Sequence, residues 1–245
     1  MMENLRDTFK ERLDEVDSYI DFLLELDKQS KNGPPRLEGA CSPISVTQQR
    51  ILYSGVFLHL YNLVESTMTM CIDAVARAAY SDKKLRPGDL ADTLKREWVR
   101  SFARTHTDMA SDKRLDSAIK LCQHLVDSLP IPEFTIEKGG GGNWDDDAIE
   151  QMTERLGFKL KVNRSVYRGV KSPFRDDLGP LALVKSLRNK LAHGAISFSE
   201  SVGSLDVGRL SDLKNKLVDY LREVIRCFSE FISAHEYLCP RKRPV

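Results

Sequence analysis

Apolar residues recur every three or four positions along most of this chain, a spacing that places them on one face of an α-helix. The clearest stripe covers residues 3–31, and a longer one runs from Ser45 to about Tyr80. The alternation of apolar and polar residues that predicts a half-buried β-strand is nowhere convincing. The pattern therefore predicts an all-α fold, in which amphipathic helices bury their apolar faces against one another.

Proline and glycine divide this pattern into segments. Residues 32–36 end the first helix because they include two prolines, which lack a backbone donor and fix φ. The glycines at 139–142 predict a mobile loop, and the stretch 158–175 is the least regular. We predict six or seven helices in a single domain covering residues 1–245, with core helices at about 45–80, 178–193 and 207–238, a helical insertion at about 86–157 and an N-terminal helix at 3–31.

Charge and composition exclude several classes of protein. The 37 basic and 36 acidic residues leave a formal net charge of +1, so any nucleic-acid-binding surface must be local. The polar N-terminus lacks the pattern of a secretory signal, and no apolar run approaches the roughly 20 residues of a membrane span. We therefore expect a cytoplasmic protein with no membrane association. The five scattered cysteines predict neither a disulfide framework nor a zinc site.

The most informative segment is residues 188–194, which closes an apolar-periodic helix. Asn189 and His193 are four positions apart and share a helix face, while Arg188 lies about 100° away with a side chain long enough to bend toward the same edge. One edge of the helix therefore gathers an imidazole, an amide and a guanidinium. An alternative is that His193 and Gly194 only cap the helix, because a cation complements the C-terminal dipole and glycine ends the last turn.

This segment resembles the R-x4-6-H motif of the HEPN superfamily, in which a polar residue, often Asn, follows the Arg and the His closes the helix. Two further stretches, 57–65 and 142–147, resemble the bacterial branch of MAE-type HEPN-like nucleases, so that the resemblance covers roughly residues 50–230. Arg100 and His106 have similar spacing. Arg188 is preferred because Asn189 follows it, its helix is amphipathic, and the next helix supplies the expected bundle partner.

The resemblance implies an all-α HEPN-like helical bundle with a helical insertion, and a metal-independent endoribonuclease of toxin or antiphage-defence type that cleaves tRNA or other RNA without a cofactor. Arg188, Asn189 and His193 would be its catalytic residues. Imidazole exchanges protons near neutral pH and guanidinium binds phosphate oxygens, which suits attack by a ribose 2′-hydroxyl. Glu65 would support the site by orienting the Arg; alternatively, it is an ordinary exposed helical glutamate.

A single motif supplies only one His, whereas the acid and the base must flank the scissile phosphate. The resemblance implies that a homodimer solves this by bringing two motifs face to face, with the helix that bears Arg188 at the centre of the two-fold. It also implies a neutralising antitoxin or a defence-system protein as a further partner.

The stretch 158–175 contains six basic residues, no acidic one and three aromatic ones. Cations for phosphates and aromatic faces for unstacked bases favour single-stranded RNA, although the aromatic residues could instead anchor a solvated loop to the core. We interpret the three aspartates at 145–147 as stabilising a helix N-terminus and expect no metal. The predicted RNA-binding residues are Arg164, Tyr167, Arg168, Lys171 and Lys190.

Two other functions remain open. The first is a non-catalytic HEPN module that binds RNA or a partner protein through the same groove. The second is a structural adaptor whose apolar stripes at 3–31 and 207–238 engage the helices of another protein.

Overall fold

A computed structural model describes residues 2–39, 42–102, 110–138 and 143–244. Within these ranges the chain forms nine α-helices and no β-strand, which confirms the all-α prediction. Two short 3-10 turns lie at Pro87–Asp89 and Pro240–Lys242. The helices are α1 (Met2–Ser30), α2 (Val46–Ser81), α3 (Asp92–Phe102), α4 (Ser111–Val126), α5 (Asp146–Leu156), α6 (Arg164–Lys171), α7 (Pro180–Ala192), α8 (Phe198–Val202) and α9 (Val207–Ser233).

Helix α2 is the spine of the bundle. It begins with a capping box in which the Ser45 side chain accepts from the Gln48 N–H at 3.2 Å and the Gln48 side chain accepts from the Ser45 N–H at 2.8 Å. Its 36 residues extend over about 54 Å at 1.5 Å per residue. Helices α1, α7, α8 and α9 all pack against it, so α2 sets the position of the other core helices.

Helices α1 and α9 bury their stripes inside this same bundle. The α1 stripe is buried along its length, and α9 buries twelve of its 27 residues. The surfaces on which the structural-adaptor alternative depends are therefore already covered by the chain's own core. Helix α1 joins the three helices that the sequence assigned to the core. The buried residues of α1 are Leu5, Phe9, Leu13, Val16, Ile20, Leu23 and Leu26.

Two helices and one helix end differ from the sequence prediction. Helix α6 lies in 158–175, the stretch with the least regular sequence pattern. Its eight residues are mostly polar and only Val170 is buried, so the helix presents no apolar stripe. Helix α8 is only five residues long and was not predicted. The last helix ends at Ser233 rather than near residue 238, since His235 adopts a left-handed φ of 53° that no α-helix continues through.

The segment 86–157 contains α3, α4 and α5. Trp98 of α3 and Ile149 of α5 are fully buried in the common core. Glu97 is also buried, and Arg155 binds its carboxylate at 2.7 Å while Arg100 approaches at 2.5 Å. Helix α4 differs from both, because none of its residues is buried. The segment 86–157 is thus fixed to the core through α3 and α5 and exposes α4.

Some expectations fall on residues that the structure does not describe. The glycine loop at 139–142, Cys41 and His106 all lie outside the described ranges. The four cysteines inside those ranges are free thiols, and Cys71 and Cys227 are buried on helix faces. None of the described helices combines the length and apolarity that crossing a membrane requires.

We predict that Tyr220→Phe raises the free energy of unfolding by about 1 kcal/mol, because a buried hydroxyl without a partner costs stability and phenylalanine removes it. The Tyr220 hydroxyl is buried and has no hydrogen-bond partner in the described part of the chain, and burial raises its pKa. Urea unfolding measures the change. Tyr61→Phe is the matched control and should lower stability, since the Tyr61 hydroxyl accepts from the Trp144 N–H at 3.2 Å. An equal decrease in the free energy of unfolding in both variants would contradict the prediction.

Candidate active site

Helix α7 presents the 188–193 segment at the surface by burying its opposite face. Leu187 and Leu191 point into the core, and the helix packs against α2 and α9. Arg188 and Asn189 are half-buried at the edge of this packing, and His193 is exposed at the helix end. The three side chains therefore reach solvent from the last turn of α7.

The backbone after α7 forms a Schellman motif. His193 is the C-cap residue, Gly194 donates to the Leu191 carbonyl at 3.2 Å, and Ala195 donates to the Lys190 carbonyl at 2.8 Å. Gly194 has a φ of 67°, in the left-handed region that favours glycine. The capping alternative thus describes the backbone correctly. It leaves the His193 side chain exposed at the helix end, with no hydrogen bond or ion pair from its ring to the described residues.

Three contacts hold the Arg188 side chain. Its guanidinium lies over the Tyr61 ring, 4.5 Å from the ring centroid, in a cation–π contact. Its Nη1 donates to the Asn189 Oδ1 at 2.9 Å, and its Nη2 lies 3.8 Å from a carboxylate oxygen of Glu65. Glu65 is therefore paired with Arg188 rather than standing alone on α2. The guanidinium keeps a defined position although about a third of the side chain is exposed.

The segment before α5 completes this cluster. Asn143 accepts through Oδ1 from the Asn189 Nδ2 at 3.1 Å. The backbone N–H of Trp144 donates to the Tyr61 hydroxyl. Asp145 caps α5 by accepting from the Ala148 N–H at 2.8 Å, and its carboxylate also binds the Lys185 ammonium of α7. Tyr61 and Glu65 of α2 thus contact Arg188, and Asn143 contacts its neighbour Asn189.

Tyr61 and Asn143 are contact residues that the sequence reasoning did not identify. Both lie in the stretches that resemble MAE-type nucleases, which was the only signal available for them. Burial raises the pKa of Tyr61, and the nearby Glu65 carboxylate raises it further, against the lowering effect of the Trp144 N–H. Tyr61 is therefore a neutral phenol at physiological pH, with an oxygen that accepts from Trp144 and a ring that supports Arg188.

The predicted RNA-binding residues have different environments. Helix α6 exposes Arg164, Tyr167 and Arg168, and Lys190 is exposed on the last turn of α7. The other two aromatic residues of the stretch anchor it, since Phe158 stacks on Phe231 at 4.5 Å and the guanidinium of Arg209 lies 4.4 Å from the centroid of the Phe174 ring. Two aromatic residues of the stretch therefore anchor it to the core, as the alternative interpretation expected, while α6 exposes its two arginines and Tyr167.

Lys171 is already surrounded by carboxylates. Its ammonium lies 2.6 Å from both Asp146 and Asp147 and 3.2 Å from Glu150. Burial lowers the pKa of Lys171, but its hydrogen bonds to these acids outweigh burial and raise the pKa above its usual value. Asp146 and Asp147 thus occupy the first turn of α5 and bind a cation of α6. Among the described residues, no group of three or more His, Cys, Asp or Glu is arranged to hold a metal.

A helical bundle whose core helix ends on a half-buried Arg-Asn pair and a capping His has the features expected of a HEPN module. The chain belongs to the MAE_28990-like HEPN family, whose sequence model matches residues 1–237. No curated protein and no solved structure gave a match to the chain.

We predict that Lys171→Met lowers the free energy of unfolding by about 2 kcal/mol, because the buried Asp146 then lacks its cation beside two further carboxylates. Arg168→Met is the matched control, since it removes an exposed cation from the same helix without breaking an ion pair among the described residues. Chemical unfolding of both variants makes the comparison. Equal stability of the Lys171 variant and the wild type would show that the carboxylate cluster does not depend on this cation.

Proposed function

We propose that this chain is a metal-independent endoribonuclease of toxin or antiphage-defence type that cleaves RNA in the cytoplasm, with tRNA as a candidate substrate. The observation that carries the proposal is the exposed imidazole of His193 at the same helix end as an Arg188 guanidinium held by Tyr61, Asn189 and Glu65. We further propose that residues 1–245 form one HEPN-like domain in which 86–157 is an insertion.

The proposed reaction is transesterification within RNA. The ribose 2′-hydroxyl loses its proton to an imidazole and attacks the adjacent phosphorus, the bond to the 5′-oxygen breaks, and that oxygen takes up a proton. The Arg188 guanidinium stabilises the negative charge that develops on the non-bridging oxygens. The products are a 2′,3′-cyclic phosphate and a 5′-hydroxyl. Asn189 contributes by holding Arg188 and by bridging to Asn143.

The site requires two copies of the chain. One His193 cannot be both the base beside the 2′-oxygen and the acid beside the 5′-oxygen, because the two lie on opposite sides of the phosphorus. A two-fold dimer about the end of α7 supplies the second imidazole. Exposure of Ala192, His193 and Gly194 supports this arrangement, since nothing within the described chain covers them.

We assign RNA contacts to Arg164, Arg168 and Lys190 as phosphate ligands and to Tyr167 as a stacking surface. Tyr167 keeps 42% of its surface exposed, which leaves a face for an unstacked base. Lys171, although predicted from the sequence, is engaged by three acids and contributes to the proposed surface only by holding α6. An antitoxin or defence-system protein that neutralises the enzyme would cover the α7 end.

A non-catalytic HEPN module is the second candidate. It is favoured by the engagement of Arg188 within its own protomer, where Asn189 and Glu65 already take up part of its hydrogen-bonding capacity. Such a module would bind RNA or a protein through the same surface without cleaving.

The purified protein should cleave total RNA in the presence of EDTA and leave cyclic-phosphate ends. Arg188→Ala and His193→Ala should each reduce the rate by about a hundredfold or more, because each removes a group that acts on the transition state. Gel analysis and end-specific labelling measure both effects. Arg12→Ala and His59→Gln serve as controls, since Arg12 pairs with Glu15 on α1 and His59 packs on Tyr19. RNA binding without cleavage would favour the non-catalytic module.

Mixing subunits tests whether the site is composite. When wild type is refolded with an equal amount of His193→Ala chain, wild-type homodimers make up about a quarter of the dimers, and activity should fall to about that fraction. If the fraction of activity that remains equals the fraction of wild-type chains in the mixture, each protomer cleaves alone. Arg12→Ala chains, mixed in the same way, should leave activity unchanged.

A further inference from the structure

A cavity of about 200 Å³, which we call the α5 cavity, lies beside the candidate active site. Four of its lining residues recur at a spacing of three and four on one face of α5: Ala148, Gln151, Met152 and Arg155. The other lining residues in the described part of the chain are Lys138, Asn143 and Trp144. Pockets that enclose a drug-sized ligand measure roughly 300–1,000 Å³, so this smaller cavity admits a single ring system.

Asn143 connects the α5 cavity to the proposed catalytic group. Its Oδ1 accepts from the Asn189 Nδ2 at 3.1 Å, and the Asn189 Oδ1 accepts in turn from the Arg188 Nη1 at 2.9 Å. Only two hydrogen-bonded amide side chains therefore separate the wall of the cavity from the guanidinium that the proposed reaction places at the phosphate. A group bound in the cavity is thus a close neighbour of the scissile bond.

The uncharged lining residues supply the groups that recognise a nucleobase. Trp144 and Met152 are buried and give the cavity an apolar wall. The side-chain amide of Gln151 is exposed and makes no hydrogen bond to the described residues, so it offers one acceptor oxygen and two donor hydrogens to a ligand. Proteins read single-stranded RNA in this way, by hydrogen bonds to the edges of unstacked bases.

Two cations accompany the amide, and no acidic side chain of the described chain lines the cavity. Arg155 is held in place because its Nε and Nη2 bind the buried carboxylate of Glu97 at 2.9 and 2.7 Å, while its Nη1 makes no hydrogen bond to the described residues. Lys138 is exposed, and its ammonium donates to the Thr69 hydroxyl at 2.9 Å. The lining therefore favours a ligand that combines a ring with negative charge, as a nucleotide does.

We propose that the α5 cavity is a base-binding subsite for the RNA substrate. One unstacked base lies against Trp144 and Met152, with its edge hydrogen-bonded to Gln151. Lys138 and Arg155 bind the phosphate of the same nucleotide. The inference rests on the proposed function, because it assigns how the enzyme holds a nucleotide next to the bond that it cleaves. Gln151 is then a specificity-determining residue.

Nucleotide binding can be measured apart from cleavage, because Trp144 reports on the cavity. It is one of two tryptophans, and the other, Trp98, is fully buried in α3. At least one of the four nucleoside 5′-monophosphates should bind saturably to the wild-type chain in EDTA, as measured by tryptophan emission and by equilibrium dialysis. Ribose 5-phosphate, which lacks the base, should bind about tenfold more weakly. Equal binding of ribose 5-phosphate, or no saturable binding of any nucleotide, would overturn the proposal.

Two substitutions test where the nucleotide binds. Gln151→Ala should weaken binding by about tenfold, because it removes the hydrogen bonds to the edge of the base. Ala148→Phe should abolish binding, since a phenyl ring then occupies the cavity. Gln123→Ala, which removes an exposed glutamine of α4 outside the cavity, is the matched control and should bind as the wild type does. Wild-type binding by Gln151→Ala would overturn the proposal, and this variant decides if circular dichroism shows that Ala148→Phe does not fold.

Competition shows whether the nucleotide comes from RNA or is a free mononucleotide. A single-stranded oligoribonucleotide should displace the bound mononucleotide from the His193→Ala chain, in which the proposed cleavage is blocked. A mononucleotide that stays bound would overturn the assignment to the RNA substrate. Binding a mononucleotide requires no cleavage, so a chain that binds it but leaves RNA intact would contradict the proposed function alone. Cleavage of RNA without any mononucleotide binding would contradict the subsite alone.

Discussion

Burial of α2 on several sides is the constraint on which the rest of the structure depends. Its apolar residues are buried against four other helices, and each large side chain contributes about 1.5–3 kcal/mol. The exposed ion pair between Glu65 and Arg188 contributes about 1 kcal/mol or less. Packing therefore decides where Tyr61 and Glu65 lie, four residues apart on α2, and the polar contacts only orient Arg188 against them.

The sequence predicted those helices whose stability comes from an apolar stripe. Helices α1, α2, α7 and α9 each present such a stripe, and their existence and approximate bounds agree with the structure. Helix α6 could not be found in this way, because it is held by polar contacts: Asn163 accepts from the Ser165 N–H at its start, and Lys171 binds acids of α5 at its end. Contacts between distant segments leave no periodic pattern in either one.

The candidate site likewise combines contacts that follow from helix geometry with contacts that depend on the tertiary fold. Arg188, Asn189 and His193 lie within one helix end, so their proximity follows from helix geometry alone. Tyr61 and Asn143 reach that end from α2 and from the segment before α5, and only the tertiary fold brings them together. The three aspartates were correctly placed at a helix N-terminus. Their binding to Lys171 and Lys185 could not be predicted, because those lysines follow in separate helices.

Counting charges in a segment does not measure its capacity to bind an anion, since the partners of each charge decide that capacity. Of the six cations in 158–175, Lys171 is bound by three carboxylates, and Arg175 donates to the carbonyls of Ser201 and Val202. The other four are exposed and make no ion pair with the described residues. The exposed basic surface of this stretch is therefore smaller than the sequence indicated. It lies on α6 and on the irregular segment before it, which is held to the core by the packing of Phe158 against Phe228 and Phe231.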